Sequence, residues 1–460
     1  MITSSNIGQE AYSDYDALWH LKTLGILDKD NAPIEWVAPA SSNRKTRVAM
    51  IDTSVATGHP NLKGAVNRKL AFDLFSTRLG AFPYLDPDAK IGPLNLNSGT
   101  RVAEGLNETS HLLTQLNDRL SHSAPAQLGG ITPTVSQEFS VHGTAIAGLI
   151  GARPCLVPTS SGEMKLPYSG VDPYCEIVPI STNFDPDPEQ LILAFLYAEL
   201  INADVILLPR IIPDPFRTLP ELSQHTMNGD DLGTLIAPSI ISPQEATLWE
   251  QLAELIVAIS LKRPVVCAAG NSNEEFAIYP ANLANEHNGI ISVGALNAKG
   301  YRSGYSGAGS TTVMAPSNDA EIFDKTEVRL DEQRQNYSPI GVPENNSNFK
   351  YSNFEIVSTD VPGRFGYSSS PFIAERSDLE LREFGSYFCR FGGTSAASAI
   401  VAGFLSLGKT TQELVENADG LVSKNWLLSK CKTVPEDDMT HKVPTWFGDP
   451  SFPDRDAHGV

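Results

Sequence analysis

The sequence predicts an α/β chain: a mostly parallel sheet with helices on both faces, carrying surface insertions. Apolar runs of strand length recur at Val48 to Ile51, Ile177 to Ile180, Val205 to Leu208, Val265 to Ala268 and Ile290 to Val293. They are continuous rather than alternating, as strands covered on both faces are. Helical patterns lie between them, at Gln190 to Ile201 and Pro243 to Lys262. Strands alternating with helices imply parallel pairing through crossovers.

The longer helix is the best marked. Leu248, Leu252, Leu255, Ile256 and Ile259 share one face. Ser242 stands at its cap, Pro243 in the first turn and Glu245 three residues after the serine, which makes a capping box. Three stretches, 67–137, 209–242 and 318–385, are rich in Pro, Ser, Asn and charge and weak in periodicity. They read as surface insertions of one domain, since long loops in a compact domain tend to be functional. The resulting division is a short N-terminal segment over 1–17, a domain over 18–431, and an irregular extension over 432–460.

Composition narrows the class. Of 460 residues, 41% are hydrophobic and 19% charged, which suits a globular protein with a sizeable core. A net charge of −20 argues against nucleic acid or an anionic membrane as main partner, because both reward clustered Lys and Arg. The N-terminus, MITSSNIGQEAYSDYD, has no basic region followed by an apolar run, so it does not read as a secretory signal. No apolar stretch reaches the roughly 20 residues of a membrane span. The five cysteines, Cys155, Cys175, Cys267, Cys389 and Cys431, are odd in number and scattered, which reads as reduced thiols in a cytoplasmic protein. Cys267 and Cys389 are expected to be buried thiols without a chemical task.

Four segments carry chemistry. RVAMIDTSV (47–55) ends an apolar strand in Asp52, and functional groups gather at the carboxyl ends of parallel strands. VHGTAIAGLIG (141–151) places His142 at the opening of a small-residue helix, where it can serve as a general base; Gly143 and Ala147 would let that helix sit close to the sheet. PVVCAAGNSN (264–273) runs a buried strand into Gly270 and Asn271, whose amide can donate to a developing oxyanion. FGGTSAASAIVAG (391–403) sets Ser395 at the start of another small-residue helix, among free N–H groups at the positive end of its dipole. Each alone admits an ordinary role: a turn-capping Asp, an idle His, a Gly-Asn turn, a helix cap.

The order Asp, His, Asn, Ser in these contexts resembles the subtilisin-like serine proteases, and the resemblance covers nearly the whole chain. LWHLKTLGI (18–26), GVDPYCEIVPIS (170–181), YPANLANEHNGIISVGAL (279–296) and SGYSGAGSTTVMAPS (303–317) are similar to further segments of that family. The resemblance implies a doubly wound parallel sheet and hydrolysis through an acyl-enzyme. Ser395 would attack, His142 would shuttle the proton, Asp52 would orient His142, and Asn271 with the Ser395 N–H would bind the oxyanion. A His142 ring nitrogen is then expected near the Ser395 hydroxyl, with the other facing Asp52.

Departures from the family pattern bear on specificity. Asp52 is followed by Thr53-Ser54, where a glycine usually stands second, and Ala396 and Ala399 replace the usual Met and Pro after the nucleophile. In ADVILLPR (203–210) and Ile211, the usual Ser-Leu-Gly wall of the specificity pocket becomes Pro209, Arg210 and Ile211, and Pro has no N–H to pair with a substrate strand. No inhibitory prodomain precedes the resemblance, as in intracellular members. The expectation is a narrow-specificity endopeptidase acting on protein or peptide, and gated by a regulatory protein partner. No cofactor is expected. Calcium is common in the family, but only the acidic cluster Asp185, Asp187 and Glu189 offers ligands, and it reads better as a solvated loop. Two rivals stand beside this reading. An esterase would need G-x-S-x-G and another chain order. A catalytically silent binding protein on the same scaffold would explain the altered wall.

Overall fold

A computed structural model describes residues 17–30, 32–34, 44–74, 138–182, 186–212, 243–319, 352–361, 366–367 and 387–455, less a few single positions. In chain order the elements are α1 (Trp19–Thr23), β1 (Arg47–Asp52), β2 (Phe72–Asp73), α2 (Glu138–Gly151), β3 (Cys155–Thr159), β4 (Gly162–Leu166) and β5 (Glu176–Ser181). There follow α3 (Pro188–Leu200), β6 (Val205–Leu208), α4 (Pro243–Ser260), β7 (Val265–Ala268), β8 (Ile290–Leu296) and β9 (Val313–Pro316). The last are β10 (Ile356–Thr359), β11 (Phe388–Phe391), α5 (Gly393–Thr410), α6 (Gly420–Ser429), β12 (Cys431–Glu436) and β13 (Met439–Pro444).

Seven strands form one parallel sheet in the order β2-β5-β1-β6-β7-β8-β9. Its two faces explain the continuous apolar runs. Val48 and Met50 of β1 enter one core with α2 and α5, while Ala49 and Ile51 enter the other with α3 and α4. Side chains of a strand alternate between faces, so both sets must be apolar. Helix α3 is buried along its length; Asp187 caps it by accepting from Gln190 N at 2.8 Å, and Pro188 opens its first turn. No helix among the described residues is long and apolar enough to cross a membrane.

Several expectations change. The small strands β2 and β9 escape the apolar-run criterion because of their length and composition, yet they form the two edges of the sheet. The segments expected as insertions contain ordered core structure at their ends: β2 pairs with β5, and β10 pairs with β11 behind α2. Helix α4 ends at Ser260 rather than Lys262. Its capping serine, Ser242, lies outside the described residues, as do residues 1–16 and the bulk of the three insertions. The tail from 432 is not irregular. β12 and β13 form a hairpin, and Val434, Val443, Trp446 and Phe452 enter the main core. Trp446 N donates to Leu24 O at 2.7 Å and Thr23 Oγ1 to Ser451 O at 2.7 Å, tying the tail to α1. The hairpin turns Lys432, Thr433 and Lys442 outward between buried Val434, His441 and Val443, and this hides its apolar positions in a linear reading.

Candidate active site

Asp52 is the last residue of β1 and is fully buried. Its carboxylate faces His142, with Nδ1 at 2.9 Å from Oδ1 and 2.8 Å from Oδ2, and Oδ1 also accepts from Thr53 N at 2.6 Å. Since Nδ1 donates to the carboxylate, the tautomer leaves Nε2 as the acceptor end of the ring. His142 stands in the second turn of α2, not at its opening as expected, because the helix begins at Glu138. Phe391 packs edge-on against the imidazole at 5.3 Å between centroids.

Helix α2 is fixed by short contacts from both sides. Gly143 N donates to Thr53 Oγ1 at 3.0 Å, and Ala56 N to Thr144 Oγ1 at 2.8 Å. A Cβ on Gly143 would stand 2.5 Å from the carbonyl oxygens of Thr53 and Ser54, so only glycine allows this approach. From behind, Ser358 Oγ donates to Ala145 O at 2.5 Å and Thr359 Oγ1 to Thr144 O at 2.8 Å. Thr53 and β10 thus position His142, a part of the site that the sequence reading did not single out.

Ser395 lies in the first turn of α5 and is 8% exposed. Its Oγ donates to Pro209 O at 2.7 Å; no hydrogen bond joins it to His142 among the described residues. Pro209 follows β6, the strand beside β1. Met50 of β1 pairs with Leu207 of β6, and Asp52 and Pro209 each lie two residues beyond that pair, at the carboxyl ends of the two strands. Adjacent strands stand about 4.8 Å apart. The carboxylate that holds His142 and the carbonyl that holds Ser395 thus belong to the carboxyl ends of adjacent strands.

Asn271 follows β7. Thr394 N and Thr394 Oγ1 both donate to its Oδ1, each at 2.9 Å, and Gly270 N donates to Thr394 Oγ1 at 3.1 Å. A backbone donor fixes which amide atom is the oxygen, so Nδ2 is the donor end of Asn271. Thr394 thus aligns both Asn271 and the first turn bearing Ser395; its only sequence signal is its place before the serine. Gly393 adopts φ +76°, and its N–H donates to Tyr305 OH at 3.1 Å. Gly392 leaves no room for a Cβ, which would stand 2.1 Å from Asn318 Oδ1.

Arg210 does not stand out as a pocket wall. It is buried, with its guanidinium donating to Thr182 Oγ1 at 3.3 Å past the end of β1; Ile211 lies outside the described residues. His59 is a second imidazole near the site. Asn61 N donates to its Nδ1 at 3.1 Å, its Nε2 donates to Tyr387 O at 2.7 Å, and burial pushes its pKa down. Nδ1 thus caps the turn over Pro60–Leu62, and Nε2 holds the chain before β11. Cys267 and Cys389 are buried free thiols; burial pushes Cys267 up to about 12 and Cys389 well above the ordinary thiol range. Of the acidic cluster, Asp187 is a helix cap, Glu189 lies in the first turn of α3, and Asp185 lies outside the described residues. No group of three or more His, Cys, Asp or Glu among the described residues could hold a metal ion.

Comparison with known proteins bears on the fold. Residues 238–433, which include Asn271 and Ser395, match the model of the subtilase family. The chain is subtilase-like. Two solved structures share the fold. The nisin leader peptidase NisP from Lactococcus lactis has TM-score 0.50 at 15% identity, over 94% of this chain and 92% of that one. The epidermin leader peptide processing serine protease EpiP from Staphylococcus aureus has TM-score 0.50 at 15% identity, over 97% of this chain and 82% of that one. A search of curated proteins finds no match. The subtilase match covers α4 to β12, while Asp52 and His142 lie before it. Their pairing at 2.8 Å supplies the half of the arrangement that the family match does not reach.

Proposed function

We propose that this chain is a serine endopeptidase of narrow specificity that hydrolyses peptide bonds through an acyl-enzyme on Ser395. The observation that carries it is the buried Asp52–His142 pair at the end of β1, beside β6, after which the Pro209 carbonyl holds the Ser395 hydroxyl. In the proposed cycle Ser395 Oγ attacks the scissile carbonyl as its proton passes to His142 Nε2. Asp52 keeps the tautomer and stabilises the imidazolium. Asn271 Nδ2 and the Ser395 N–H receive the oxyanion. His142 then protonates the leaving amine, and a water deprotonated by the same imidazole releases the acid and restores Ser395.

The hydrogen bond to Pro209 makes this a resting arrangement. Ser395 must turn from the carbonyl to His142 before it attacks, and a hydrogen bond contributes about 1 kcal/mol. Turning exchanges the bond to Pro209 for one to His142, and substrate seated in the cleft would favour the attacking rotamer. Pro209 also offers no N–H to a substrate strand, so affinity must come from elsewhere. Both features favour a selective enzyme over a degradative one, and two neighbours of the same fold are described as leader peptide proteases. Gating by a partner that covers or orders the cleft belongs to the same reading. We place the enzyme in the cytoplasm, on the scattered free thiols.

The bond from Ser395 to Pro209 also favours one second reading, a silent binding protein. One experiment separates them: the purified chain is treated with a fluorophosphonate probe and, separately, with unfolded casein. The proposal expects labelling at Ser395 with slow digestion at few sites. Absence of labelling supports the silent reading, and rapid digestion at many sites contradicts narrow specificity.

A further inference from the structure

At the amino ends of the central strands, opposite Asp52 and Ser395, five cationic side chains line one cavity of about 450 Å³: Arg44, Arg47, Lys262, Arg263 and Lys409. The topology gathers them. Arg47 opens β1, Arg263 stands just before β7, and Lys409 lies in the last turn of α5. Lys409 is separated from Ser395 by about 21 Å of helix, at 1.5 Å per residue. The chain as a whole carries a net charge of −20, so a basic cavity runs against its composition.

The charges of the cavity do not cancel. Asp204 and Glu416 are its lining carboxylates. Asp204 accepts from Arg44 at 2.6 Å and from Arg47 N at 2.7 Å. Two carboxylates behind the lining take up others: Glu176 pairs with Arg47 at 2.6 Å, and Glu199 with Arg263 at 2.8 Å and Lys262 at 3.4 Å. Lys409 is different. It is 7% exposed, and its Nζ donates to two carbonyls, Glu416 O at 3.0 Å and Ala418 O at 3.3 Å. It forms no ion pair with a carboxylate among the described residues, and an ammonium has three N–H groups to give. A buried cation held only by carbonyls is costly unless a counter-ion joins it. Burial keeps its pKa below the ordinary lysine range, with Arg263 and Arg44 pushing the same way and Asp204 and Glu416 opposing them.

We propose that this cavity binds a small multivalent oxyanion of the phosphate class, with Lys409 as its buried anchor. Arg44 and Lys262, whose side chains are 39% and 40% exposed, stand at the mouth. Cations arriving from three separate segments call for an ion with acceptor oxygens in several directions, which phosphate and pyrophosphate have and a single carboxylate lacks. The volume falls within the range of about 300–1,000 Å³ that holds small ligands. This site is independent of the peptidase reading and stands or falls without it.

The test is isothermal titration calorimetry of the full chain with sodium phosphate and sodium pyrophosphate, against sodium chloride at matched ionic strength. The expected result is one-to-one binding of pyrophosphate, tighter than phosphate, with no heat from chloride. Lys409→Gln should weaken it at least about tenfold, as loss of a charge-assisted contact does, and the Arg44→Gln, Lys262→Gln double variant several-fold, while the exposed Lys165→Gln changes nothing. Absence of heat at millimolar pyrophosphate would overturn the proposal, as would unchanged affinity in a folded Lys409→Gln protein. Should Lys409→Gln not fold, unchanged affinity in the double variant overturns it.

Discussion

Replacing Thr394 with Val tests how the oxyanion donor is held. The residue is fully buried, and Val keeps its shape. The change removes the hydroxyl that accepts from Gly270 N at 3.1 Å and donates to Asn271 Oδ1 at 2.9 Å. Gly270 N–H is left buried without this acceptor, which costs about 1–3 kcal/mol of stability. Asn271 keeps one of its two restraints from Thr394, the backbone N–H at 2.9 Å. Loss of an oxyanion donor outright lowers the rate about 10²- to 10³-fold, so a loosened one is expected to lower it about tenfold. The assay is the second-order rate of fluorophosphonate labelling, read beside the melting temperature, because labelling needs the oxyanion site and no knowledge of the substrate. Thr394→Ser keeps the hydroxyl and should label within about threefold of the wild type. Wild-type labelling by a destabilised Thr394→Val protein would refute the reasoning, since the hydroxyl would then matter to packing alone. Equal losses in Val and Ser would refute it as well, by assigning the effect to the methyl group.

Gly143→Ala should destabilise the protein by about 1–3 kcal/mol and slow labelling at Ser395, because its Cβ would meet two carbonyl oxygens at 2.5 Å and push α2 and His142 away from Asp52. A melting temperature and labelling rate equal to wild type would contradict the packing. Alkylation of the native protein by N-ethylmaleimide should leave labelling intact, since Cys267 and Cys389 are buried with raised pKa values; rapid inactivation would show a thiol at work. Glu355→Gln should change the pH dependence of stability. Burial raises Glu355 to about 7 against the help of Arg390. Between its ordinary pKa and 7 the folded chain holds a proton that the unfolded chain releases, so stability falls as pH rises through that window and stays lost above it. The variant lacks this loss, so its stability relative to wild type should be greater at pH 8 than at pH 5, by up to about 3 kcal/mol. An equal difference at both pH values would count against the buried carboxyl.

The central sheet was legible because a strand buried on both faces needs apolar residues at every place, and five runs met that condition. The edges were not: β2 is two residues long and begins inside a stretch rich in charge, and β9 carries a proline. The four candidate residues were read from residue type and order; Asp52 ends β1 and Ser395 lies in the first turn of α5, whereas His142 falls in the second turn of α2. Their supports were not. Thr53, Ser358 and Thr359 act on α2 through hydroxyls that any surface residue could carry, and Ser358 is remote in sequence from the helix it holds. The tail misled because its apolar residues are spaced singly among polar ones, and Phe404, against which Trp446 packs, lies well away in sequence. The bond from Ser395 to Pro209 had no signal at all, since it depends on a backbone carbonyl and on the register of β1 with β6.

The account rests on Ser395 being a nucleophile armed by His142 and Asp52. Mass-spectrometric mapping of the fluorophosphonate adduct on the wild-type, Ser395→Ala and Asp52→Asn proteins tests this most directly. The account predicts one adduct, on the peptide containing Ser395, no adduct in Ser395→Ala, and labelling slowed about 10³- to 10⁴-fold in Asp52→Asn, where the imidazole loses the partner that sets its tautomer. An adduct elsewhere, or labelling of Asp52→Asn at the wild-type rate, would contradict it.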